Sequence, residues 1–382
     1  MQFELYEIAS LILGAISLLF ASFLLTVKSE NKLSNYLIAC YLILNTQDSG
    51  GLFISDLVYP KYPGWGMFIN STVFLVMPLI YLYILSLIYS NFTLQKKHLL
   101  HLIPYFANLI VFIPRYYAVD FDAKWEFLNY RNVEPQFEIK FSYIVVHLQI
   151  VFYLLLSFLA VFKYKKLLLE NFSNASLFNF NYLFQFLLIL TFVDLVAMFK
   201  NVFMFMDIEE AYFRTQIATS FLALYAVIFI VLKALQNPQL FKGIDSSLLL
   251  AKDLQSDSLN DHDQLESAEE KLHEIVKLKE FMKNEKPYLD PSLTLNNLGN
   301  QLSINPKDLS ILINKYIGQH FFDFVNNYRI ENAMELLTDP NNHDLTVLEV
   351  LYEVGFNSKS SFNTAFKKHT GFTPTEYRKR YS

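Results

Sequence analysis

The side chains best suited to chemistry in this chain of 382 residues fall in two short stretches near its C-terminal end. The first holds Lys307, Asp308, Ser310, Ile311, Asn314 and Lys315. The second holds Ser358, Lys359, Ser360, Asn363, Thr364, Lys367 and Lys368. Neither set has the acid–base pairing, the activated nucleophile or the ligand spacing that catalysis needs. Recognition is what they offer. Ammonium groups neutralise phosphates, amides and hydroxyls hydrogen-bond to base edges, and an isoleucine or threonine methyl can touch the methyl of thymine.

These residues must be held by helices, and the surrounding pattern repeats. Leu295, Leu298, Leu302 and Ile304 recur 52 residues later as Val347, Val350, Val354 and Phe356. Past the turn the offset is 53, and Leu309, Ile313 and Gly318 recur as Phe362, Phe366 and Gly371. Each copy predicts a helix, a tight turn and a second helix. The apolar positions keep helical spacing. Thr294 can cap the first helix, Thr346 with Glu349 can form a capping box, and Asn305-Pro306 and Asn357-Ser358 start the second helices. Gly318 and Gly371 sit where a helix closes on a left-handed residue. Between the copies, His320 to Leu337 reads as an amphipathic helix, stopped by Asp339-Pro340-Asn341-Asn342. Leu309, Ile313, Phe362 and Phe366 are assigned to the core, which leaves the thirteen recognition residues on exposed faces of helices at about 306–317 and 358–370.

With VGFNSKSSFNTAFKKHTGFTPTEYRKR and the joining helix around Tyr328-Arg329-Ile330, residues 287–382 resemble the DNA-binding domain of AraC/XylS transcription regulators. The resemblance implies two helix-turn-helix units, double-stranded DNA as partner, and major-groove entry by both reading helices if the joining helix holds them about one DNA turn (~34 Å) apart. Family members often carry Arg at two reading positions held here by Ile311 and Thr364, which shifts the expected readout to Asn314, Asn363 and methyl contacts. Leu351 stands where the family favours Ala. Residues 357–382 carry Lys359, Lys367, Lys368, Arg378, Lys379 and Arg380 against Glu376 alone, so this half is expected to supply most phosphate contacts.

Upstream the composition changes. The chain is 53% hydrophobic and only 18% charged, against about 25% charged in soluble domains, and the deficit lies before residue 235. Seven stretches approach the ~20 apolar residues that cross a bilayer: about 5–27, 35–55, 66–89, 99–118, 139–162, 180–204 and 212–235. Glu4 precedes the first and Glu7 lies in its opening turn, with no basic residue before it, so it does not read as a cleaved signal peptide. Lys28 and Lys32, Lys96 and Lys97, and Lys163, Lys165 and Lys166 mark one set of loops as cytoplasmic. The opposite loops are mixed, with Asp120, Asp122 and Glu126 beside Arg115 and Lys124. This predicts the bacterial inner membrane as location, the N-terminus outside and the C-terminal domain in the cytoplasm.

Ionisable residues inside spans are costly and often functional, which singles out Asp48, Asp194 and Lys200 as candidate sensing residues. For these, and for His147 and Gln149, the plainer reading is a polar group satisfied by a neighbouring helix. Pro78 is expected to kink its helix, with neighbours satisfying the freed backbone. His98 and His101 have ligand spacing but no third partner. The single cysteine, Cys40, excludes an intramolecular disulfide, and no cofactor or metal is expected. Residues 236–264 read as a polar linker. Leu265, Ala268, Leu272, Ile275, Lys279 and Met282 approximate a heptad seam, consistent with a homodimer through 264–286 or with a helix docked on the DNA-binding domain.

The expectation is an all-α chain. It has a membrane helix bundle over 1–235, a linker and signalling helix over 236–286, and a tandem helix-turn-helix domain over 287–382. The function expected is regulation of transcription under control of a stimulus in or outside the membrane. A transporter or membrane enzyme with an appended regulator needs a constellation of groups in the spans, and Asp48, Asp194, Lys200 and His147 are too scattered to supply it. A tethered constitutive regulator needs only one span.

Overall fold

A computed structural model describes residues 5–27, 32–49, 60–129, 137–173, 178–236, 264–342 and 344–381. Among these there is no β-strand, and the chain divides into two compact units. One is Met1–Phe162 with Phe178–Ser246; the other is Lys163–Leu177 with Ser247–Ser382. The linker expected over 236–264 lies almost wholly outside the described residues.

The first unit contains α1 (Leu5–Thr26), α2 (Lys32–Ser49), α3 (Pro63–Asn70), α4 (Val73–Ile88), α5 (Ile103–Phe112), α6 (Phe121–Asn129), most of α7 (Phe137–Asn171), α8 (Phe178–Phe205) and α9 (Glu209–Gln236). α1 packs on α2 and α9, α2 on α4, and α8 on α9. Among the described residues, six helical stretches are long and apolar enough to cross a membrane: 8–26, 63–88, 96–117, 137–171, 180–205 and 209–233. The expected span at 35–55 is not among them. Its described part, α2, ends in Asn45, Thr46, Gln47, Asp48 and Ser49, which dilute its hydropathy. Its first half is nonetheless core, with Leu37, Ile38, Ala39 and Leu42 buried.

Pro78 lies inside α4 and cannot donate to the carbonyl of Phe74. Gln149 on α7 replaces the missing donor, its Nε2 reaching Phe74 O at 2.8 Å. His147 is likewise held by a neighbour, with Nε2 and Asn201 Nδ2 3.1 Å apart. Both residues satisfy the plainer expectation, because a polar group in apolar surroundings costs several kcal/mol unless bonded, on the order of 2–7.

The second unit contains the end of α7 and then α10 (Gln264–Asn284), α11 (Leu295–Leu302), α12 (Pro306–Ile311), α13 (Phe321–Thr338), α14 (Val347–Glu353), α15 (Lys359–Thr370) and α16 (Pro374–Tyr381). It has two apolar cores, one per helix pair. Leu295, Leu298, Leu302, Leu309 and Ile313 fill the first; Val350, Leu351, Val354, Phe362 and Phe366 fill the second. α13 serves both, giving Phe321, Phe324 and Val325 to one and Ile330, Ala333 and Leu337 to the other. Leu351 is buried in the second core.

The caps follow the sequence. Thr294 Oγ1 accepts from Asn297 N at 3.1 Å, and Asn305 Oδ1 from Lys307 N at 2.9 Å. Thr346 and Glu349 form a reciprocal box at 2.7 and 3.2 Å. Those bonds to the Thr346 backbone and hydroxyl hold the Glu349 carboxyl below its ordinary pKa. Gly318 and Gly371 close their helices at φ +76° and +81°.

Of the two readings of α10, the described residues carry the docked helix. Leu278, off the expected seam, and Met282 are buried in the first core, with Ile275 and Phe281 packed beside them. Leu272, on the seam, is exposed. The side chains of Leu265 and Ala268 lie outside the described residues. The apolar face of α10 thus has an occupant within the chain, for the ordinary reason that Leu278 and Met282 sit four apart on one face.

Candidate nucleic-acid interface and polar cavity

Both predicted reading helices form, by different geometries. α15 is a regular α-helix capped by Ser358. Ser360, Thr364, Lys359 and Lys367 project from it exposed, Asn363 and Ser358 are half-buried, and Phe362 and Phe366 anchor the opposite face. Ser360, Thr364 and Lys367 lie on one stripe at spacings of four and three, as a surface entering a groove requires. Lys368 is exposed too, but its Nζ contacts Asp323 Oδ1 of α13 at 2.7 Å. Arg378 donates to Leu345 O at 2.7 Å. Those two cations have structural partners, whereas Lys359 and Lys367 form no ion pair among the described residues.

The first reading helix is less regular. α12 ends at Ile311 and passes into a π-helical turn over Leu312–Ile317. The wider turn shifts the faces relative to a plain 3.6-residue repeat. Ser310, expected on the exposed face, lies on α12 before that turn and is buried at 3% exposure. Asn314, expected to read bases, is turned to its own protein. Its Nδ2 donates to Ser310 O at 3.0 Å, and its Oδ1 lies 3.1 Å from His320 Nδ1. Lys307, Asp308 and Lys315 are exposed and Ile311 is half-buried. Lys315 lies over the Tyr316 ring at 5.5 Å. α10 closes in beside this turn, where Lys271, paired with Glu274 at 2.7 Å, also feels Asp308 and Tyr316. Its pKa is raised chiefly by the bond to Glu274.

A second repeated helix pair with matching caps, cores and closing glycines points to one type of fold. Residues 298–380 match a family described as a helix-turn-helix domain. The C-terminal part of the chain is an AraC-type helix-turn-helix domain. Over 80 residues it is 35% identical to the transcriptional regulatory protein YesN of Bacillus subtilis, covering 21% of either chain. Over 90 residues it is 34% identical to the HTH-type transcriptional regulator YijO of Escherichia coli, covering 24% of this chain and 31% of that one. It is 27% identical over 90 residues to the melibiose operon regulatory protein of E. coli, covering 24% and 29%. The chain therefore spans at most about a third of the length of these three AraC-type relatives.

In the first unit, Asp194 and Lys200 both line a cavity of about 410 Å³, with Asn45, His147, Asn201 and Gln216 also on its wall. Asp194, Ala197 and Asn201 share one face of α8 by helical spacing, and Lys200 borders it. The side chain of Asp48 lies outside the described residues. Spacing along the chain relates only Asn201 to Asp194, seven residues apart on α8; Asn45 and Gln216 come from α2 and α9. His98 and His101 are part of neither arrangement. His98 Nδ1 accepts from Gln95 N at 2.9 Å, and His101 Nδ1 meets the Tyr153 hydroxyl at 2.5 Å. No cluster of three or more metal-binding side chains occurs among the described residues.

Proposed function

We propose that this chain is a membrane-embedded, one-component transcription regulator. Its AraC-type domain reads duplex DNA through α15 and, less specifically, through α12. The observation that carries the DNA half is the exposed stripe of Ser360, Thr364 and Lys367 on a helix fixed from behind by Phe362 and Phe366. With Asn314 turned inward, sequence discrimination falls mainly on α15. Residues of α12 position the backbone through Lys307 and Lys315.

The membrane half rests on six long apolar stretches whose faces leave large side chains uncovered, among them Leu148, Leu155 and Leu159 of α7. Uncovered apolar area of that extent suits lipid. With α2 counted as a seventh crossing, the charge of the loops supports a cytoplasmic AraC-type domain. The cavity with Asp194 and Lys200 is the sensing site of this reading. Opposite charges more than one helical turn apart, among amides, suit a small dipolar molecule with an apolar body.

Two measurements test the proposal. After selection of a preferred duplex with the full-length protein in liposomes, Lys359→Gln and Lys367→Gln should each lower the slope of log affinity against log salt by about 0.9. Lys368→Gln, already paired with Asp323, should lower it less, and three equal slopes would refute the assignment of the free cations. Separately, Asp194→Asn and Lys200→Gln should insert normally but change which genes respond in cells. Wild-type regulation by both variants would leave the cavity without a role.

A further inference from the structure

The two residues that follow α7 belong with the AraC-type domain. Phe172 forms an antiparallel bridge with Thr294, the N-cap of α11. Ser173 is 1% exposed. Its backbone N–H donates to Leu293 O at 3.2 Å, and its hydroxyl to the same carbonyl at 2.6 Å. Facing it is Arg329 of α13, fully buried. Arg329 Nη1 donates to Ser173 O at 3.1 Å and Nη2 to Ser173 Oγ at 3.2 Å. The remaining donors go to Tyr288 O at 2.7 Å, Asp290 O at 2.8 Å and Asn326 Oδ1 at 3.2 Å. The guanidinium carbon lies 5.5 Å from the centroid of Phe356, a core residue of the second helix pair.

No carboxylate oxygen is among these acceptors. Burial pulls the Arg329 pKa down to about 10, against the opposing pull of Asp290. A buried cation satisfied by neutral oxygens depends on every one of them. Ser173 supplies two. It comes from a chain segment that continues α7 directly, 120 residues before Leu293 and 156 before Arg329.

We infer that Phe172 and Ser173 are a working part of the DNA-reading unit, and that Arg329 holds them there as a latch through which α7 governs how the two helix pairs are held for DNA. This deepens the proposed function and rests on it. With the latch closed, one guanidinium ties the 288–290 turn before the first pair to Phe356 of the second. With it open, that tie weakens and DNA affinity falls. α7 is thus a second route into the domain beside α10.

The test uses the full-length chain in liposomes with Cys40→Ser, so that no native thiol interferes. Residues opposite each other in an antiparallel bridge have Cα atoms about 4.5–5.5 Å apart, inside the range a disulfide spans. Phe172→Cys with Thr294→Cys should therefore cross-link in most molecules on mild oxidation, and neither single variant should. On the selected duplex, Ser173→Ala should bind at least fivefold more weakly than wild type. In the double-cysteine background, oxidation should return that variant to within twofold of wild type. Absence of the cross-link overturns the inference, as does a Ser173→Ala affinity within twofold of wild type. A weakened Ser173→Ala protein that the cross-link fails to restore reports lost folding and also overturns it. If the wild-type chain binds no duplex at all, the regulator reading falls. Cross-linking is read independently of DNA, so a failure of the latch is told apart from that outcome.

Discussion

Arg329→Ala is expected to strip hydrogen-exchange protection from amides across α13 and α14 in the full-length protein by a factor of about 10³, the equivalent of roughly 4 kcal/mol. The size follows from what is left behind. Tyr288 O, Asp290 O, Ser173 O and Asn326 Oδ1 all lose a donor at once inside a site closed to water. Each unsatisfied buried acceptor costs on the order of 1–3 kcal/mol, less whatever water can repair. The Phe356 ring loses the cation above it as well. Arg329→Met separates volume from bonding, because it fills most of the space and donates nothing. It should lose nearly as much protection as alanine. Arg329→Lys restores a charge but not the planar fork that reaches several acceptors together, and should recover only part. Protection in the Met variant equal to wild type would mean that packing, not donation, is what Arg329 contributes.

Gly355→Ala is expected to destabilise the same unit by on the order of 3 kcal/mol, well beyond the ~1–2 kcal/mol that a left-handed backbone costs a residue with a Cβ. Gly355 sits at φ +89°, and a Cβ there would lie 2.5 Å from Tyr288 O and 2.8 Å from Leu289 O. Both are backbone atoms of a turn that Arg329 also grips, so neither can swing aside. Gly318→Ala and Gly371→Ala are the controls. They share the positive φ but meet open space, and should cost only the backbone share. Rates of limited proteolysis between residues 287 and 381 should rank Gly355→Ala far above the other two. Equal rates for the three would show that the turn yields and that the contact carries no weight. Because the new methyl would push Tyr288 O off the guanidinium, Gly355→Ala and Arg329→Ala should also fall short of additivity when combined.

What the sequence disclosed and what it concealed divide along one line. Features settled within a few residues were readable: the Thr346–Glu349 box, the Asn305-Pro306 start, the closing glycines, and the stripes that became Leu298, Leu309, Phe362 and Phe366. Pro78 was readable as a kink needing a donor, and Gln149 as a polar group needing a neighbour, but not that each was the answer to the other. The burial of Ser310 and the bonds of Asn314 to its own protein were not legible, because they depend on how α12 and the π turn after it pack, and nothing in the residue types announces such a turn. In α10 the eye follows a heptad through Leu272, whereas Leu278 and Met282 answer to a core that is visible only once the chain has folded. Arg329 carried a signal that went unused. It falls at spacings of four on the stripe of Phe321, Val325, Ala333 and Leu337, so burial, and with it a need for acceptors, could have been inferred. Its partner in Ser173, 156 residues away, could not.

α7 runs from Phe137 to Asn171 without a glycine or proline. At 1.5 Å per residue its 35 residues make a rod of about 52 Å. A rod of this kind transmits sliding and turning but absorbs neither. Grafting experiments inherit an angular rule from that. One residue inserted ahead of Asn171 advances Phe172 by about 1.5 Å and turns it about 100° away from Thr294, whereas seven, close to two full turns, bring it back nearly in phase. Fusions between the first unit and foreign reading domains are therefore best sorted by their helical phase at the join, with linker length a secondary matter.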